Sequence, residues 1–142
     1  MYTGSGNFPQ LDFVTMPNAV YPALSGFACP DRRRCLVVSV IFTLVTTAAA
    51  GTRRPMLVSG GVLLRRIYGL ATAGQNAGLT QAWTMNADHT PPQNAVLTWH
   101  LDHICPNMWF NPFEGFDLEI IAGQAGDAIT QAGAFVHSYV YD

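Results

Sequence analysis

The residues best equipped for chemistry lie close together in His100-x-x-His103-x-Cys105. Imidazole and thiolate ligands suit zinc. The spacing works against a shared site. On a strand, successive side chains point to opposite faces, so His103 and Cys105 share one face and His100 takes the other. A three-ligand centre would need a break inside the strand, and the first breaker, Pro106, comes after Cys105. The pattern predicts ordinary packing and no metal. Asp102, with His137 and Ser138 further along, supplies the residue types of a hydrolytic triad. However, no Gly-x-Ser-x-Gly elbow is present, and none of the five serines has a recognised nucleophile context. Asp117, Glu119 and Asp127 could ligate calcium, but no Asp-x-Asp-x-Asp-Gly loop holds them. Gly60-Gly61 reads as a hairpin turn and not as a phosphate cradle. The chemistry-bearing residues therefore predict a non-enzyme that needs no cofactor.

Aromatic side chains offer a second kind of chemistry. Trp83, Trp99 and Trp109, with Phe110 and Phe113, could stack on a sugar. Trp99 falls in the middle of a predicted strand and belongs to a core. Trp109-Phe110-Asn111-Pro112-Phe113 is a Pro-bounded loop whose aromatics are candidates for an exposed contact. Packing against a subunit or scaffold is the first expectation there, the protein's own core the second and glycan binding the third. Three Cys cannot all pair within one chain. Cys29 and Cys35 could close a small loop and leave Cys105 over, but three free, mostly buried thiols are expected.

The surface that must carry these residues is poor in charge. Only 11% of the 142 residues are charged, against about 25% in an average soluble domain. All seven basic residues are Arg. Arg is enriched and Lys depleted at protein interfaces, because guanidinium desolvates more readily and binds bidentately. Codon bias in a GC-rich genome would also favour Arg, but it does not explain the low total charge. An exterior covered by other protein does. The net charge of −2 and pI near 6.0 argue against a general nucleic-acid binder. Arg32-Arg33-Arg34, the apolar run to Val45 and Thr46–Gly51 have the outline of a signal peptide. The run begins some 30 residues into the chain, and it is too short to span a bilayer. It reads as a long buried strand, with no membrane partner.

The elements predicted to position these residues are β-strands. Cys35–Thr47 is rich in Val, Ile, Phe and Thr, which suit a pleated surface. Met56–Ser59 and Val62–Tyr68 flank the Gly60-Gly61 turn. Gln81–Ala87 and Val96–Ile104 read as further strands. Phe116–Ala122 and Ala134–Tyr141 alternate with period two. Arg65-Arg66 either sits at a strand end, the first expectation, or turns one Arg toward a neighbouring subunit, and Arg53-Arg54, before Pro55, falls in a loop. Residues 1–31 hold Gly and Pro at a density that prevents a helix, yet are too apolar for a solvated tail. They read as an extended N-terminal arm. Residues 32–142 read as one all-β domain, a two-sheet sandwich or jelly roll of seven to eight strands.

The C-terminal third carries a resemblance. Pro112-Phe113-Glu114-Gly115 leads into an amphipathic strand, followed by Gln124-Ala125-Gly126-Asp127 and a last strand. The basic run before the strand at Arg32–Thr43 and the Gly60-Gly61-Val62-Leu63-Leu64-Arg65-Arg66 hairpin are of the same style. This order resembles small β-sandwich virion accessory proteins of tailed bacteriophages, although Asn111 stands where that pattern often has Leu. The resemblance implies a capsid decoration (cement) protein on the virion's capsid surface. Such proteins are usually trimeric and bind the major capsid protein or other virion proteins. A tail or head-fibre component, acting as a receptor- or glycan-binding module, is the alternative. The residues expected to make the contacts are Phe8, Phe13 and Tyr21 of the arm, Arg32, Arg33 and Arg34, and Trp109, Phe110 and Phe113 of the loop.

Overall fold

A computed structural model describes residues 10–59, 65–87, 99–105 and 107–140. They form two packed sheets, the sandwich that the strand patterns predict. The described residues hold eleven strands: β1 Gln10–Thr15, β2 Ala19–Val20, β3 Ser25–Ala28, β4 Arg33–Val45, β5 Arg54–Ser59, β6 Arg66–Leu70, β7 Thr80–Asn86, β8 Trp99–His103, β9 Trp109–Phe110, β10 Gly115–Ile121 and β11 Ala128–Val140. No helix occurs among the described residues, so none is long and apolar enough to cross a membrane.

The larger sheet runs β1-β11-β4-β7-β8, with β2 also on β11 and β9 also on β4. The smaller sheet runs β3-β10-β5-β6. All pairings are antiparallel except β7 with β8. The frame is the antiparallel pair of the two 13-residue strands, β4 and β11. Two register shifts interrupt the pair, and each changes which alternate set of residues faces inward. Cys35 and Val37 face inward before the shift at Val38, and Val40, Phe42 and Leu44 face inward after it. On β11, Gln131 takes a left-handed backbone (φ 51°) and sets up the other shift. Ala132, Ala134 and Val136 stay buried beyond it.

The core lies between the sheets. Phe27, Phe110 and Phe116 meet there, with Phe27 stacked on Phe116 at 5.1 Å. Trp83 stacks on Phe42 at 6.0 Å and donates its indole N–H to Gln75 Oε1 at 2.9 Å. Gln75 Nε2 donates to the carbonyls of Leu44 (2.7 Å) and Leu79 (3.0 Å), so this buried amide bridges β4 to the turn before β7.

Two expectations change. The segment 1–31 is not an appendage throughout. Residues 10–28 supply β1 and β2 to the larger sheet and β3 to the smaller one. Pro17 and Pro22 lie between these short strands, where no ladder N–H is needed, so proline density hid strands without preventing them. Arg53-Arg54 is not a free loop either. Arg54 opens β5 and donates to the Ala71 carbonyl from Nη2 (2.6 Å) and Nε (3.0 Å). Arg53 is fully buried.

Arg53 can be buried because each of its guanidinium nitrogens has a partner. Its Nε donates to Asp127 Oδ2 at 2.8 Å and its Nη2 to Asp127 Oδ1 at 3.2 Å. Nη1 donates to the Gly51 carbonyl (2.7 Å) and Nη2 also to Thr47 Oγ1 (3.2 Å). Asp127 accepts two backbone N–H bonds as well, from Thr47 (2.8 Å) and Gln124 (2.7 Å). This fork joins the loop after β4, the start of β5 and the turn before β11. It gives the Gln124–Asp127 turn a structural role. Burial alone would push the Asp127 carboxyl up. The Arg53 hydrogen bonds, the two N–H donors and the guanidinium charge outweigh it and hold the carboxyl below its usual value.

A group with a depressed folded pKa contributes stability above its unfolded pKa and loses it as pH falls through the folded value. The Asp127 contribution is therefore complete above about pH 4–5 and declines in more acid solution. Urea midpoints measured at neutral and acid pH should drop more steeply for the wild type than for Asp127→Asn. Equal slopes would mean that Asp127 does not drive the acid limb.

Candidate functional site

Among the described residues, the side chains with chemical promise are not assembled into a centre. β8 pairs with β7 residue for residue through His100 and His103, without a bulge. The side chains of Trp99, His100, Asp102 and His103 lie outside the described residues. Cys105 is exposed and free beyond the strand end. Ser138 and His137 are neighbours on β11 and face opposite sides of the sheet. Ser138 Oγ donates to Asp12 Oδ2 (2.5 Å) and accepts from Arg33 Nη1 (2.8 Å), an inward-facing trio without imidazole. Asp117, Glu119 and Asp127 are dispersed. Asp127 belongs to Arg53, Glu119 pairs with Arg65, and Asp117 is exposed on β10. Among the described residues no three His, Cys, Asp or Glu side chains gather as a metal site.

The distinctive feature is a difference between the two outer faces. On the smaller sheet, the outward positions of β10 include Asp117 and Glu119, and β5 adds Arg54. That face is mixed: Asp117, Glu119 and Arg54 share it with Met56, Leu70 and Ile121, the last two 37% and 38% exposed. On the larger sheet the outward positions are nearly free of charge, with Ser39, Thr43, Thr84 and Asn86 toward β7 and apolar side chains gathered toward β1. β1 presents Leu11 and Phe13, 58% and 48% exposed. β11 presents Phe135, His137 and Tyr139, and β4 presents Leu36, Val38 and Ile41. Among the described outward residues of β1, β4, β7 and β11, Arg34 carries the one charge.

Registers place these side chains side by side. Leu11 lies opposite His137, which lies opposite Leu36, which lies opposite Trp109. One row away, Phe13 lies opposite Phe135, their rings 4.9 Å apart. Phe13 also covers Gly133, where an added Cβ would sit 2.1 Å from Phe13 Cζ. Only glycine leaves room for the ring to lie flat on the sheet there. At the other end, Arg34 stacks over Trp109 at 4.7 Å, and Trp109 packs on Tyr139 at 5.5 Å. A cation over an indole face keeps its attraction when water is removed. His137 Nδ1, in the middle of the surface, is buried without a hydrogen-bond partner among the described residues. Such an atom costs roughly 1–3 kcal/mol until something bonds it.

The nine predicted contact residues divide accordingly. Phe13, Arg34 and Trp109 come together on this face. Arg32 is exposed at the turn before β4, with φ 58°. Phe113 is 73% exposed at the tip of the turn after β9, with φ 68°. Three others are turned inward. Tyr21 packs on the core and over Gly123. Arg33 is held by Asp12 (2.9 Å) and Ser138. Phe110 is buried between Phe27, Tyr68 and Phe116. Phe8 lies outside the described residues. Sequence reasoning missed Leu11, Phe135 and Leu36. The signal was present in β4, where both alternate sets of residues are apolar, as in a strand covered on two sides.

The chain matches no protein-family model, no curated protein and no solved structure.

Proposed function

We propose that this chain is a non-enzymatic structural protein of a tailed-phage particle, a capsid decoration protein that docks through the outer face of its larger sheet. The observation that carries the reading is the contrast in charge between the outer face of the smaller sheet, with Arg54, Asp117 and Glu119, and that of the larger, where aromatic and aliphatic side chains of β1, β4 and β11 gather beside one Arg. A lone sandwich solvates both outer faces. A sandwich that is one layer of an assembly leaves one face apolar for its neighbour. The low charge of the whole chain supports the same reading. So does the resemblance of its C-terminal motifs to virion accessory sandwiches. The partners in this reading are the major capsid protein and two further copies of the chain. Many equivalent contacts on a shell multiply modest affinities, so no single contact need be strong.

Quantitative mass spectrometry of purified particles tests this reading. Copies in simple ratio to the shell subunit are expected. A few copies per particle would move the protein to the tail or a vertex and favour a receptor- or glycan-binding role. Absence from particles would overturn the structural reading altogether.

A further inference from the structure

Cys29 and Cys35 stand apart from the surface just described. Cys29 follows β3 in the smaller sheet, and Cys35 lies in β4 of the larger one. Both are free thiols buried from solvent. Their Sγ atoms are 2.8 Å apart, closer than two sulfurs in ordinary contact. Neither backbone is free to move away. Cys29 N–H donates to the Glu114 carbonyl at 2.8 Å, and the Cys29 carbonyl accepts from Phe113 N–H at 2.8 Å. Cys35 is paired with Phe110 on one side and Ser138 on the other. The intervening turn is closed by Arg33 N–H to the Pro30 carbonyl, with Arg32 in a left-handed conformation.

We propose that Cys29 and Cys35 are a dithiol that converts to an intrachain disulfide on exposure to a small-molecule disulfide such as oxidised glutathione. The Cys29 thiolate attacks one sulfur of the external disulfide and expels one thiolate. The Cys35 thiolate then attacks the Cys29 sulfur of the mixed disulfide and expels the second. The protein loses two S–H hydrogens, and the external disulfide is reduced to two thiols. The fold contributes by holding the second thiol in place, so ring closure competes against loss of the mixed disulfide. The new bond would tie the two sheets together across the turn that Arg33 N–H closes on the Pro30 carbonyl.

Burial sets the rate. Both thiols are pushed above their usual value by desolvation, so thiolate is scarce at neutral pH and reaction needs local opening or alkaline solution. The same property protects the product, because a high-pKa thiol is a poor leaving group and its disulfide resists reduction. Cys105 is exposed and is expected to stop at a mixed disulfide. This inference depends on the two thiols and not on any particle.

The test uses the full-length chain with Cys105→Ser, treated with oxidised glutathione both as folded protein and during refolding. Denaturation, alkylation and mass spectrometry follow. The expected product has lost two hydrogens and both alkylatable thiols, and yields a peptide linked through Cys29 and Cys35. Its formation is faster in alkaline than in neutral buffer. Its Tm is higher by on the order of 5 °C, a gain that dithiothreitol reverses. Two alkylatable thiols after refolding with oxidised glutathione would overturn the proposal, as would stable glutathione adducts on both residues.

Discussion

Replacing Asp127 by Ala should lower the unfolding free energy by about 3–5 kcal/mol, because it leaves a buried guanidinium without its counter-charge. For a chain of this size that is a fall in Tm of about 10 °C. Both side chains are sealed from solvent, each 0% exposed, beneath the exposed Ala125-Gly126 turn. The loss has two sources. Arg53 keeps only the Gly51 carbonyl and Thr47 Oγ1 as acceptors. Thr47 and Gln124 also lose the acceptor of their backbone N–H groups.

Arg53→Met combined with Asp127→Leu separates these sources. An apolar pair removes the unpaired charge and often restores stability when a buried ion pair is replaced. Here recovery should be partial, since the two N–H donors remain unsatisfied at about 1 kcal/mol or more each. Urea and thermal unfolding of the two singles and the double measure this. A loss under about 1 kcal/mol for Asp127→Ala would show that the fork is not a keystone of the fold.

Leu11→Lys with Phe13→Lys should weaken self-association at least about 100-fold while leaving the domain folded. Both side chains are about half exposed on β1, at the edge of the larger sheet. Lysine on an edge strand is a device that soluble sheets use to prevent edge contacts. The folding cost should stay near 1 kcal/mol, the worth of the Phe13–Phe135 ring contact. Sedimentation of the wild type is expected to give a species heavier than the 15.4 kDa chain, and the variant a monomer. A wild type that stays monomeric at high concentration would remove the assembly reading. An unchanged oligomer in the variant would place the contact on another surface, with Phe113 the next residue to change.

The strands were legible where their information is local. In β10, Phe116, Leu118 and Ile120 alternate with Asp117 and Glu119, and period two is enough to say which residues face in. The long β4 was legible for the same reason, except at Val38, where a register shift changes which parity is buried. The short strands between Pro9, Pro17, Pro22 and Pro30 were not legible, since two to six residues carry too little period to outweigh proline.

The sequence by itself determined an all-β chain, its principal strands, its lack of a recognisable catalytic motif and its unusual shortage of charge. Only the tertiary structure decided which charges are buried and which apolar residues are left outside. Arg53 and Asp127 are 74 positions apart, and no local pattern announces that one will neutralise the other. Phe110 and Trp109 are adjacent, yet one enters the core and the other meets Arg34 on the outer face. Strand alternation requires that they part, but which goes in depends on whether Phe27 and Phe116 close over it from the opposite sheet. Burial is settled by such long-range pairings, and these exist only once the two sheets have met.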